Sequence, residues 1–301
     1  MNVNEHKIKQ EICEIGRRLY AKGFAAANDG NITYRLNDKE ILCTPTMVSK
    51  GFLKPEDICK VDYEGKQLAG TRKRTSEVLL HLAVYKNRPD INAVVHCHPP
   101  HATAFAVAHE PIPKCILPEV EVFLGEVPTA VYATPGDQRL PNTIIPYVKD
   151  CNTILLANHG TVSWGTTVEL AYFNTEIIDA YCKILILAKQ LGRVNYFSEK
   201  DTAELMQFKK RIGYDDPRLH VPDCELCGPS VFSDGYSDFV PEPYAFKRDG
   251  QEPTIFTDEH EEEACACAIP ASKPQVQVKD MDELVRIVTE KVMAALAESK
   301  A

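Results

Sequence analysis

Ala93-Val94-Val95-His96-Cys97-His98-Pro99-Pro100 is an apolar run that ends in two histidines and is cut off by two prolines. Such a run predicts a strand over 91–98 that is buried on both faces and stopped by Pro-Pro. Residues two apart on a strand project to the same face, so His96 and His98 can reach one ion while Cys97 points away. A second run repeats the context. Ile154-Leu155-Leu156-Ala157-Asn158-His159-Gly160 reads as a buried strand over 153–157 that ends in His-Gly. Three neutral imidazoles and one carboxylate make a suitable Zn²⁺ set, with room for substrate oxygens. On spacing alone a His-x-His pair is equally compatible with a structural or exposed role.

The elements around these two strands follow from periodicity. Ile8, Ile12, Ile15, Leu19 and Tyr20 at helical spacing predict a helix over 5–24, ending near Gly23. Short strands are expected at 31–36, 40–44 and 58–62, separated by Asn37-Asp38 and Glu64-Gly65 turns. Residues 76–87 read as a helix stopped before Pro89, and an Ala-rich helix follows Pro100. Strands at 116–120 and 128–132, a helix at 140–150, a strand at 161–164 and a long helix at 168–191 complete an α/β layered domain over 1–214. Its strands suit a mainly antiparallel sheet. Residues 215–278 are rich in Pro, Gly, Asp and Glu and read as a loop-rich extension and linker. In the last segment, 279–301, Met281, Leu284, Val285, Val288, Val292 and Leu296 share one helical face behind a capping-box-like Asp280 and Glu283.

Composition narrows the function classes. The 301 residues carry a net charge of −9, which argues against nucleic acid or an anionic membrane as the main partner. No run approaches membrane-spanning length, and no N-terminal leader pattern is present. The eleven cysteines, spread along the chain, read as reduced thiols in a cytosol-like compartment. Cys224-x-x-Cys227 and Cys265-x-Cys267 offer four thiolates for a second metal, against the plainer reading of free thiols in a linker.

Asp29-Gly30-Asn31, Thr44-Pro45-Thr46, Thr75-Ser76-Glu77, the His96–His98 run and Leu156-Ala157-Asn158-His159-Gly160 occur in the order that marks one family. As a set they resemble the class II sugar-phosphate aldolases, the family of L-fuculose-1-phosphate aldolase and L-ribulose-5-phosphate 4-epimerase. The resemblance runs from about Ile8 to Tyr214 and implies an α/β/α layered domain. It also implies that Glu77, His96, His98 and His159 hold a divalent ion, with Zn²⁺ expected, and that Glu77 moves a proton. Epimerases of the family usually have Asp at this position, so Glu77 favours C–C cleavage over epimerisation; a sugar-phosphate 4-epimerase or dehydratase on the same fold is the alternative the resemblance leaves open.

The resemblance further assigns Gly30, Asn31, Thr46, Thr75 and Ser76 to the substrate phosphate. The chemistry suits an anion, since Thr75 and Ser76 open an expected helix with free N–H groups. Met47 departs from the family, where many relatives have glycine. Tyr132 resembles a tyrosine that fuculose-phosphate aldolases donate across a subunit interface as a proton shuttle, which implies a homotetramer with shared active sites. The expected reaction is cleavage of a 6-deoxy ketose 1-phosphate, L-fuculose or L-rhamnulose 1-phosphate, to dihydroxyacetone phosphate and lactaldehyde. The helix at 279–298 resembles the peptides that target enzymes to the shell or cargo of bacterial microcompartments, which sets the expected location inside one, in the cytoplasm. A non-catalytic, adducin-like scaffold is the rival from another class. Such relatives tend to lose the metal histidines that are present here.

Overall fold

Asn4 caps the first helix, α1 (Glu5–Ala21), by accepting a hydrogen bond from the Lys7 N–H. Ile8, Ile12, Ile15 and Leu19 bury one face of it, and Gly23, in the left-handed region, closes its C-terminal end. The computed structural model describes residues 4–214, 216–220 and 226–227, all within the unit Met1–Lys247. The expected helix at 279–301, most of the expected extension, and Cys224, Cys265 and Cys267 lie outside the described residues.

The strands are β1 (Asn31–Arg35), β2 (Ile41–Cys43), β3 (Cys59–Val61), β4 (Gln67–Ala69), β5 (Ala93–Cys97), β6 (Thr129–Ala130), β7 (Thr153–Leu156) and β8 (Gly160–Gly165). They form one sheet in the order β4-β3-β2-β1-β5-β8-β7-β6. Every neighbouring pair is antiparallel except β6 with β7. The histidine-bearing strand β5 is therefore central, paired with β1 and β8 and buried along its whole length.

Helices cover both faces, which gives the α/β/α layering. On one face α2 (Val78–Asn87) and α5 (Arg139–Ile144) pack Leu80, Val84, Leu140 and Ile144 against Val94, Ile154, Val162 and Trp164. On the other, α1 and α6 (Val168–Gln190) cover Ile32, Leu42, Val95 and Cys97. Leu155 joins α6 to α3 (Pro100–Ala108) and α4 (Pro118–Phe123) in a third cluster. The alternation within β5 is the expected one. Val94 and Val95 enter different clusters, and Cys97 points into the α1/α6 core.

Some elements differ from expectation. The strand expected at 116–120 is helix α4 instead, because Pro118 sits at its first turn, where a fixed φ favours the helix and no N–H is missed. The strand at 128–132 shrinks to β6, since Val131 and Tyr132 leave the sheet and are exposed. The helix at 140–150 ends at Ile144, just before Pro146, which cannot continue it. Helix α7 (Glu199–Arg211) was not expected. Ser198 and Asp201 form a capping box at its start.

The reading of all eleven cysteines as reduced thiols is also corrected. Cys115 and Cys227, 112 residues apart, form a disulfide, so Cys227 is not a free thiolate for the suggested four-cysteine site. The same region is held by a buried charge cluster. Arg218 donates to Glu121 at 2.6 Å and to Asp216 at 2.8 Å, and Lys209 donates to Asp216 at 2.7 Å. No helix among the described residues is long and apolar enough to cross a membrane.

Candidate metal centre

Three sequence segments meet at one end of the central strands. β5 carries His96 and passes directly into His98. β7 and β8 pair Leu156 with Gly160, so the three-residue turn Ala157-Asn158-His159 lies beside them. Asn158 takes the left-handed conformation (φ 54°) that this tight turn requires, which asparagine tolerates better than most residues. Gly160 is needed for a different reason: a Cβ there would stand 2.6 Å from both the Cys97 carbonyl oxygen and His98 Cδ2. Glu77 comes from the helix layer, at the N-cap of α2, which packs on the sheet face that carries Val94.

The side chains converge. The potential ligand atoms of His96, His98 and His159 all lie within 4.8 Å of one another. Glu77 bridges two of them, with Oε2 3.4 Å from His96 Nε2 and Oε1 3.4 Å from His159 Nε2. His96 is fully buried. Its Nδ1–H donates to the Thr161 carbonyl at 2.8 Å, leaving the Nε2 lone pair facing the cluster. His98 Nδ1 lies 3.3 Å from Asp29 Oδ2 and likewise frees Nε2. Burial, reinforced by the neighbouring imidazoles, pushes His96 well below the usual histidine range; burial also lowers His159, against the pull of Glu77. Both imidazoles are therefore neutral at neutral pH, the state a metal would need.

The residues fit a divalent cation. Glu77 Oε1, His96 Nε2 and His98 Nε2 are buried and have no hydrogen-bond partner among the described residues. Bare buried acceptors gathered at one point are costly unless a cation or other donor satisfies them. Three imidazole nitrogens and a carboxylate oxygen suit a borderline metal with an open coordination position.

Beside the cluster, three loops come together: 28–31, 44–48 and 72–76. Thr46 N–H donates to the Lys73 carbonyl, Thr75 N–H donates to the Thr44 carbonyl, and Asn28 Nδ2 lies 3.5 Å from Met47 Sδ. Gly30 has φ 73°, and a Cβ there would stand 3.0 Å from the His96 carbonyl oxygen, so this glycine lets the loop lie against β5. Thr75 is buried and Thr46 half-buried, while Ser76 and Met47 are exposed, Met47 with φ 57°. The Asn31 side chain is engaged at both ends, by Glu77 and by His81. Tyr132 is 55% exposed just beyond β6. A separate cleft of about 850 Å³, lined among others by Arg88, Trp164 and Asn174, contains none of these residues.

Lys50 and His81 were not singled out in the sequence. Lys50 is buried, and its ammonium donates to the carbonyls of Asn28 and Val48, tying two of the loops together from below. Lys50 lies in a Ser-Lys-Gly stretch with no periodicity to mark it as inward-facing, and His81 sits on a helix buried nearly all round.

A family model for the class II aldolase and adducin N-terminal domain matches residues 10–186. The chain belongs to this family. It is a metal-dependent lyase of the class II aldolase type, consistent with the histidine cluster. A 3-oxo-tetronate 4-phosphate decarboxylase of Escherichia coli K12 is 32% identical over 205 residues, which is 67% of this chain and 96% of the relative. An L-fuculose phosphate aldolase of Methanococcus vannielii is 36% identical over 177 residues, 58% of this chain and 93% of the relative. A solved L-fuculose 1-phosphate aldolase superposes with a TM-score of 0.63 at 27% identity, covering 68% of this chain and 96% of that one.

Proposed function

We propose that this class II aldolase uses Zn²⁺ to split L-fuculose or L-rhamnulose 1-phosphate into dihydroxyacetone phosphate and lactaldehyde. The observation that carries this reading is the meeting of Glu77 with His96, His98 and His159 beside the loops at 28–31, 44–48 and 72–76. Zn²⁺ held there supplies the Lewis-acid charge that offsets negative charge developing on the hydroxyketone oxygens. Tyr132 of a neighbouring subunit first passes its phenolic proton, through solvent, to Glu77 and then takes the proton from the C4 hydroxyl. The C4 oxygen forms the aldehyde carbonyl as the C3–C4 bond breaks, the electron pair of that bond stays with C3, and the protonated Glu77 gives its proton to that carbon, so that both side chains end as they began. Oε1 of Glu77 is the oxygen available for this transfer, because Oε2 accepts from Asn31 at 2.8 Å. Gly30, Thr46, Thr75 and Ser76 hold the phosphate, with the buried Lys50 ammonium adding positive charge below, while the expected Asn31 side chain is already engaged by Glu77 and His81. The exposure of Tyr132 supports a homotetramer in which it completes a neighbour's site.

A second reading is favoured by the decarboxylase relative, which matches a longer stretch of the chain than the archaeal aldolase does. Loss of CO₂ from a 3-oxo-tetronate 4-phosphate leaves an electron pair on the same carbon, beside the same carbonyl, as cleavage of a ketose 1-phosphate. Both reactions yield dihydroxyacetone phosphate. Release of that fragment therefore does not separate them; the second product does. Incubation with each substrate, with and without chelator, should give chelator-sensitive lactaldehyde from the ketose 1-phosphates. CO₂ from the oxo acid without lactaldehyde would replace aldol cleavage by decarboxylation, and neither product would remove both.

The remaining proposals concern the chain's organisation: an aldolase domain at 1–214, a linker at 215–278 and a targeting helix at 279–301 that carries the enzyme to a microcompartment shell or its cargo. The apolar face from Met281 to Leu296 supports the last. Deleting 279–301 should leave catalysis intact and abolish association with shell proteins. Unchanged association would refute it.

A further inference from the structure

Behind Glu77 a line of buried polar side chains runs away from the metal centre. Asn31 Nδ2 donates to Glu77 Oε2 at 2.8 Å, and Asn31 Oδ1 lies 2.5 Å from His81 Nε2. His81 Nδ1 is 2.8 Å from Thr33 Oγ1, which is 2.8 Å from the Tyr85 hydroxyl, itself 3.2 Å from the Asn92 carbonyl. Asn31, Thr33, His81 and Tyr85 are all buried, His81 at 0% exposure. Glu77 and His81 are four residues apart at the start of α2, which puts both over the face of β1 that carries Asn31 and Thr33.

The line has one self-consistent direction. An ionised carboxylate only accepts, so the Asn31 amide nitrogen must face Glu77 and its oxygen must face His81. An amide oxygen only accepts, so His81 carries its proton on Nε2. Nδ1 is then an acceptor for the Thr33 hydroxyl, and the Tyr85 hydroxyl beyond it shares its one proton between the Thr33 oxygen and the Asn92 carbonyl. A flipped Asn31 amide would set Oδ1 against Glu77 Oε2, two acceptors face to face in a buried site. Burial pushes the His81 imidazole down to about 3, so the ring is neutral at physiological pH and one tautomer is kept.

We propose that His81 is a positioning residue: through Asn31 it dictates which Glu77 oxygen is hydrogen-bonded and which is left free for the metal centre. The proposal rests on the reading of Glu77 as the carboxylate of that centre. His81 reaches neither substrate nor metal. It acts by presenting the Nε2 donor that locks the Asn31 amide, as outer partners of metal ligands do generally.

The test uses Zn²⁺ alone as the probe, on the full chain. In the native protein labelled with ¹⁵N in the histidine rings, NMR should show His81 protonated on Nε2 and bare on Nδ1. Competition titration against a chelator should show His81→Phe binding Zn²⁺ about 10- to 100-fold more weakly. His81→Gln, whose side-chain amide donates from nearly the Nε2 position, should recover most of that loss. Adding His81→Phe to Asn31→Ala should weaken Zn²⁺ binding no further than Asn31→Ala alone. Native affinity in His81→Phe, no recovery in His81→Gln, multiplying losses in the double variant, or an Nδ1-protonated ring would each overturn the proposal. If His81→Phe does not fold, His81→Gln and the native ring spectrum decide. A chain that behaves as expected in these titrations yet cleaves no sugar phosphate loses only the aldolase reading.

Discussion

Lys50→Met probes the floor beneath the substrate loops, and competing terms of known size decide its outcome. Lys50 is 1% exposed and donates to the Asn28 carbonyl at 2.8 Å and the Val48 carbonyl at 2.6 Å. Burial pushes its ammonium down from 10.5 to about 8, against the pull of Asp29 and Glu77. At pH 7 it is charged in both the folded and unfolded chain, and the shift costs the native state about 3 kcal/mol. Methionine removes that cost. It also removes two hydrogen bonds from a charged donor, about 1.5–3 kcal/mol each, and strips two carbonyls of their partner. The losses exceed the relief, so the variant should be less stable by about 1–2 kcal/mol at pH 7. The pH dependence is sharper than the magnitude. Between 8 and 10.5 the unfolded chain holds the Lys50 proton more tightly than the folded one, so this group makes native stability rise with pH. Methionine has no such contribution, and the deficit should widen by about 2–3 kcal/mol between pH 7 and pH 10. Urea unfolding of both proteins at the two pH values measures this. A deficit that is the same at pH 7 and pH 10 would refute the assignment of Lys50 as a buried cation.

Glu77→Gln should weaken Zn²⁺ binding at least about 10-fold, because an amide brings no charge and turns a donor toward the metal-facing imidazoles; metal competition titration would reveal an unchanged affinity. Tyr132→Phe and Glu77→Gln should each be inactive alone but regain part of the activity when co-assembled, since one native site then forms from two damaged chains. No recovery in mixed oligomers would place Tyr132 outside the neighbour's site. Arg218→Met should cost about 3–5 kcal/mol at pH 7.5 by removing the guanidinium that pairs with buried Glu121 and Asp216. Against the upward push of burial, Arg218 and Lys209 hold Asp216 well below the usual carboxylate range. Its stabilisation is thus present above pH 3.8 and lost as pH falls below it, so the Arg218→Met deficit should shrink in acid melts.

Patterns that sequence can display made the core of the site legible. His96 and His98 follow the period of a strand and stop at Pro99, and β5 presents them as that period requires. His159 ends a buried apolar run, and the run is β7. Glu77 was visible only through the whole motif set, because nothing local distinguishes it from any acid at a helix start. His81 and Lys50 escaped because their roles depend on what other segments bring to them: Thr33 and Asn31 from β1, and the carbonyls of Asn28 and Val48. The apolar stretch at 116–120 suggested a strand, and tertiary packing against α6 and α7 made a helix from Pro118 onward. Cys115 and Cys227 illustrate the limit of spacing arguments, since a separation of 112 residues carries no local sign of their pairing.

Among the described residues the last strand to be synthesised, β8, sits between β5 and β7 rather than at an edge of the sheet. A ribosome-bound chain that has not yet released residues 160–165 therefore holds two apolar strands with bare edges facing an empty slot. His159 has no Leu156–Gly160 pairing to orient it at that stage, and His96 lacks the Thr161 carbonyl that sets its tautomer. Completion of the histidine cluster and closure of the sheet thus depend on the same strand. A chain released before Gly160 should be trapped by aggregation or bound by chaperones before it acquires its ion.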